Sequence, residues 1–102
     1  MDIKEVSQRS AKIRQRYHEL ELKYHGSKWN TEEDALAFLT DAGIVGRLVM
    51  DQQGRWPKTS EDQLDYKIGE CIWWLSTLAD QTGLSLENCI SHFLDQREKD
   101  LK

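Results

Sequence analysis

The chain has 102 residues, 38% of them hydrophobic and 31% charged, with a net charge of −4. That size allows one domain over residues 1–102 with a modest core, and the composition excludes a disordered chain. The acidic balance, 18 acidic against 14 basic residues, argues against DNA and anionic membranes as partners.

No apolar run reaches the length of a membrane span. The first residues, Met1 to Glu5, lack the basic start and apolar core of a secretion signal. Cys71 and Cys89 both fall at apolar helix positions and are expected to be reduced core thiols. The expected location is the cytoplasm. One proline and six glycines favour helices over strands.

The first predicted helix covers 3–24. Ile3, Val6, Ser10, Ile13, Tyr17, Leu20 and Tyr24 recur at spacings of three and four, a heptad-like seam that docks on other helices of this chain or another subunit. His18 and His25 have no metal-ligand spacing to another His or Cys and read as ordinary polar residues. Gly26 stops this helix, and Asn30 or Thr31 caps the next. The second helix covers 32–52. Glu32, Glu33 and Asp34 lie in its first turn, where they complement the helix dipole. Its expected inner face is Leu36, Leu39, Ala42, Gly43, Gly46 and Met50, with Phe38, Val45 and Val49 flanking. Gly43 and Gly46 are unfavourable inside a helix, and close approach of a neighbouring helix is the usual reason for such residues. Asp41 stands among them.

Residues 53–60 form the main loop and hold the only proline. Ser60 is expected to cap the third helix, 61–81. Leu64, Ile68, Cys71, Ile72, Leu75, Leu78 and Ala79 form its apolar stripe, widened by Trp73 and Trp74. Glu70 stands in the middle beside Gly69 and faces either water or a partner helix. Gly83 stops the helix, and Ser85 caps a fourth, 86–97, with Leu86, Cys89, Ile90, Phe93 and Leu94 on its face. The fold expected is an all-α four-helix bundle. The apolar faces exceed what four short helices can hide, so self-association, most simply a dimer, is expected.

No phosphate-binding glycine loop, nucleophile triad or paired-cysteine zinc spacing is present. What remains is a pair of inward-leaning carboxylates on adjacent helices, Asp41 and Glu70. Such a pair binds a divalent metal, pairs with a cation or shares a proton. Lys67 shares a side of the third helix with Glu70, one turn away.

Two stretches resemble a known family. Ala37-Phe38-Leu39-Thr40-Asp41-Ala42-Gly43-Ile44-Val45 is similar to the second helix of MazG-like proteins, the all-α nucleoside triphosphate pyrophosphohydrolases. Lys67-Ile68-Gly69-Glu70-Cys71-Ile72-Trp73-Trp74-Leu75, followed by Leu78-Ala79-Asp80, Gly83 and Leu86-Glu87, is similar to the family's third helix and exit turn. The resemblance implies a MazG-like bundle, a dimer or a dimer of dimers, and a nucleotide as ligand. It also implies magnesium held by Glu-Glu-x-x-Glu on the second helix and Glu-x-x-Asp on the third. At those places this chain has Thr40, Asp41 and Ile44, then Lys67 and Glu70. Asp41 and Glu70 keep an acid, as candidate metal ligands; Thr40, Ile44 and Lys67 depart from the pattern. Lys67 stands opposite Asp41 by the resemblance. It can pair with both acids, touch a substrate phosphate, or extend to solvent.

Two functions stay open. One is a magnesium-dependent pyrophosphohydrolase that cleanses nucleotide pools, using Asp41 and Glu70 with Asp65 or Glu33. The other is a divergent member that keeps the fold to bind a nucleotide or a protein, with hydrolysis lost or altered.

Overall fold

The computed structural model describes residues 1–102 as four helices and no strand. They are α1 (Ile3–His25), α2 (Thr31–Gln52), α3 (Leu64–Gln81) and α4 (Leu86–Asp100). Local chemistry sets most of the ends. Asp2 caps α1 by accepting the Glu5 amide proton, and Gly26 ends it in the left-handed region at φ 77°. Asn30 and Glu33 close a reciprocal capping box at the start of α2. Ser85 caps α4 through the Asn88 amide.

The start of α3 corrects the sequence reading. Its cap is Gln63, with no side-chain bond, and the helix begins three residues later than expected. Ser60 hydrogen-bonds Asp62 at 2.7 Å instead. A hydroxyl that bonds its own near neighbour favours a turn over a helical start.

α3 is the central element and touches the other three helices, whereas the backbone of α2 packs on α3 alone and meets α1 through the Arg14–Asp34 ion pair. The two run antiparallel: Asp41 meets Lys67 and Trp74, and Asp34 meets Gln81. The stripe of α2 that packs inward is Asp34, Phe38, Asp41, Val45 and Leu48, at helical spacing. This is the face opposite the one expected from sequence. Leu36 and Leu39 are 64% and 62% exposed, and Met50 is exposed beside them. A methyl group added at Gly43 or Gly46 would meet nothing within 4 Å. No helix of this chain comes close to either glycine.

The other faces are corrected in the same sense. On α1 the inward line is Ser10, Arg14, His18 and Glu21, while Ile13, Tyr17 and Tyr24 are exposed. On α3, Trp74, Thr77 and Ala79 are buried, but Ile68, Ile72 and Leu75 face outward. On α4 only Leu86 is buried; Cys89, Phe93 and Leu94 are exposed. Both thiols are free. α1, α2 and α3 spend inward positions on polar pairs and tryptophan, and every helix leaves apolar residues exposed.

The consequence is an open shape. The buried hydrophobic residues are Leu48, Trp74, Ala79 and Leu86. The radius of gyration is 16.0 Å, against about 13 Å for a compact chain of this length. No helix is long and apolar enough to cross a membrane.

Candidate functional site

The interface of α2 with α3 carries the charged residues singled out from sequence. Asp41 lies one heptad after Asp34 on the inward stripe of α2, so its carboxylate points at α3. Lys67, one turn before Glu70, reaches across. Its Nζ donates to Asp41 Oδ1 at 3.0 Å and to Glu70 Oε1 at 2.8 Å. Asp62, just before α3, adds a third carboxylate oxygen at 4.0 Å. The second oxygen of Asp41 accepts the indole proton of Trp74 at 2.7 Å.

The cluster is shielded from much of the solvent. The Lys67 and Asp41 side chains are largely hidden, and Glu70 is partly so. The hydrogen bond to Glu70, helped by Asp41 and opposed by burial, holds the Lys67 ammonium well above its ordinary value. Lys67 is therefore a fixed positive charge. Burial, together with the charges of Asp41 and Glu70, pushes the neighbouring Cys71 thiol up, so Cys71 is a poor nucleophile.

These positions do not fit magnesium. That ion takes oxygen ligands in near-octahedral geometry at about 2.1 Å. Here the oxygens that Asp41 and Glu70 turn toward each other are bound to an ammonium, and the other oxygen of Asp41 is bound to an indole. No group of three or more His, Cys, Asp or Glu side chains is arranged to hold a metal ion. Asp41 and Glu70 are thus ligands to Lys67. Thr40 is exposed and bonds back to the Leu36 carbonyl. Ile44 is half-buried, and Asp65 and Glu33 stay at the surface, outside the cluster.

A second polar cluster was not legible as a site. Asp34 is completely buried. It accepts from Arg14 Nη2 at 2.8 Å and from Gln81 Nε2 at 2.7 Å, joining α1, α2 and α3. Arg14 Nη1 also donates to Glu21 at 3.1 Å. Glu21 in turn meets His18 and accepts the Trp29 amide proton. Burial pushes Asp34 above the ordinary carboxylate value despite the Gln81 and Arg14 donors. Burial acts the same way on Glu21, but the Trp29 amide, His18 and Arg14 together hold it below. The available signal was the seven-residue spacing of Asp34, Asp41 and Leu48, which places them on one stripe.

Aromatic rings bridge the two clusters. Trp74 stacks on Trp29 with centroids 6.5 Å apart and lies under the Arg14 guanidinium at 5.9 Å. Trp73 packs against Trp74 and Tyr17 and donates its indole proton to the Ser10 carbonyl. Trp56 lies apart, under Arg47 in the loop after α2.

Fold and site together define an all-α four-helix protein with a lysine-bridged carboxylate cluster at its central helix pair. No protein-family model, curated protein or solved structure significantly matches the chain.

Proposed function

We propose that this is a MazG-like bundle in which a lysine has taken the place of the family's metal. It binds a nucleotide-related ligand and does not release pyrophosphate by the magnesium route. The observation that carries this reading is the position of Lys67 Nζ, within 3.0 Å of both Asp41 and Glu70. An internal ammonium does for those carboxylates what a divalent ion does in a hydrolase: it lets two acids share a site. It supplies one charge instead of two and has no open coordination position for a phosphate or a water. The nucleotide part of the reading rests on the family resemblance of 37–45 and 67–87. The test is a pyrophosphate-release screen over ordinary and modified nucleoside triphosphates with magnesium and manganese, paired with calorimetry of the same compounds. Binding without release supports the reading. Release restores the hydrolase alternative, and failure to bind any nucleotide removes the ligand assignment.

The same reading includes a homodimer, formed on the outer side of α2. Leu36, Leu39, Gly43, Gly46 and Met50 follow a three-four repeat, the seam of a coiled-coil pair. Small residues at its centre allow two such helices to approach closely. The solvent-accessible surface is 7858 Å², whereas a compact monomer of this mass exposes about 6,000 Å². The excess, roughly 1,900 Å², is more than the roughly 800 Å² per partner of an ordinary stable interface. A second copy presents the same self-complementary seam, as a two-fold interface requires.

A further inference from the structure

We infer that the outer face of α2 pairs antiparallel with the same face of a second copy, in the register that seats Leu36 on the partner's Gly46 and Leu39 on the partner's Gly43. The inference rests on the homodimer proposed above and gives it a direction and a register. The face is open and lies opposite the stripe that packs on α3. Leu36 and Leu39 are 64% and 62% exposed, and Gly43, Gly46 and Met50 are exposed with them. The space above each glycine is empty to 4 Å, so each can take an incoming side chain.

Shape sets the direction. Leu36, Leu39, Gly43, Gly46 and Met50 fall on alternating a and d positions of a heptad repeat. A parallel pair stacks each position on itself, leucine on leucine and then glycine on glycine. The leucines hold the helices apart, and the glycines leave a gap that forfeits contact. An antiparallel pair sets a positions against d positions. In the register whose two-fold axis is level with Asp41, a leucine meets a glycine in every central layer, and the helix separation stays even. The antiparallel register one step along sets Gly43 on the partner's Gly46 between layers of Leu39 on the partner's Met50. Large pairs then flank a void.

Charge selects the same pairing. In it Glu33 of each copy flanks the partner's Arg47, which gives two ion pairs related by the two-fold axis. Both groups are free to take part. Glu33 spends Oε1 on the Asn30 amide and keeps its second oxygen. Arg47 lies over the Trp56 ring and joins none of the chain's own ion pairs. On the other flank Ala42 meets the partner's Ala42, and Ala35 meets the partner's Val49, so no like charges come together there. A parallel pair sets Arg47 beside the partner's Ala42 instead and loses the ion pairs.

The test is disulfide trapping in the full-length chain carrying Cys71→Ser and Cys89→Ser, run beside sedimentation equilibrium. Under mild oxidation a mixture of Leu36→Cys and Gly46→Cys chains gives the mixed covalent dimer, and neither chain alone gives one. Arg47→Glu weakens association about tenfold at low salt. Adding Glu33→Arg restores it even though that change opens the capping box of α2, which a loss through misfolding would not allow. Trapping of Leu36→Cys with itself, which only a parallel pair permits, overturns the inference. So does trapping of Leu39→Cys with Met50→Cys in place of the expected pair, absence of the mixed product from chains that sediment as dimers, or undiminished association in Arg47→Glu. Each of these leaves the homodimer standing. A monomeric wild type removes the homodimer and its register together.

Discussion

Replacing Arg14 by methionine tests how the interior is held together. Arg14 is 6% exposed and Asp34 is completely buried, so the change strands a carboxylate inside the protein with only Gln81 as donor. Glu21 keeps the Trp29 amide and His18. Breaking a buried ion pair from one side costs about 3–5 kcal/mol. Chains of this size hold about 5–15 kcal/mol in total. The variant therefore loses about a fifth or more of its stability, or fails to fold. The double variant Arg14→Met with Asp34→Leu removes both charges and fills the space with apolar groups. It recovers most of the loss, because desolvation of the pair offsets much of its attraction. The assay is urea unfolding of the wild type, both single variants and the double variant, compared at equal slope. A cost under about 1 kcal/mol for Arg14→Met, or a double variant no more stable than the worse single one, would refute the reasoning.

Other outcomes follow from particular contacts. The folded state holds the Lys67 proton more tightly than the unfolded one. Its contribution is therefore whole below the ordinary lysine value of 10.5 and is lost as pH rises toward the folded value. Unfolding curves between neutral and strongly alkaline pH should show this loss in the wild type and lack it in Lys67→Met. Leu39→Glu puts a charge in the outer α2 seam and should leave a folded monomer in sedimentation equilibrium where the wild type is dimeric; a monomeric wild type at high micromolar concentration contradicts the interface. Asn30→Ala should cost about 1 kcal/mol by opening the capping box, whereas Ser60→Ala should stay within about 0.5 kcal/mol because Ser60 caps no helix. Thermal melts of the two separate these values.

The helices themselves were legible because capping chemistry is local. Asp2, Asn30 and Ser85 act within three residues of their own position. The inward faces were harder to read, and on α2 the reason is plain. That helix carries two apolar stripes, and hydrophobicity favours the one without charges. The inner stripe contains Asp34, which its first-turn position assigns to the helix dipole, and Asp41, which the sequence reading leans inward but among residues of the other stripe. They lie inside because Arg14, Gln81, Lys67 and Trp74 reach them from other helices. Long-range pairing of this kind has no signature in any one helix. Position 67 was different, since its spacing from Glu70 and its placement opposite Asp41 could both be named before the structure. The outer stripe is accounted for by the proposed dimer, in which α2 makes a second contact.

The central claim is that Lys67 occupies the place of a metal, and magnesium titration tests it most directly. Calorimetry should be run on the wild type, on Lys67→Glu and on Lys67→Glu with Ile44→Glu. A fixed ammonium a few ångströms from the ion repels it by about 2 kcal/mol or more even at an effective dielectric near 20, which is roughly thirtyfold in affinity. The wild type should bind magnesium weakly. Lys67→Glu should bind at least roughly thirtyfold more tightly, and the double variant more tightly again, as carboxylates are returned to the cage. Tight magnesium binding by the wild type, or no gain in the double variant, would contradict the claim.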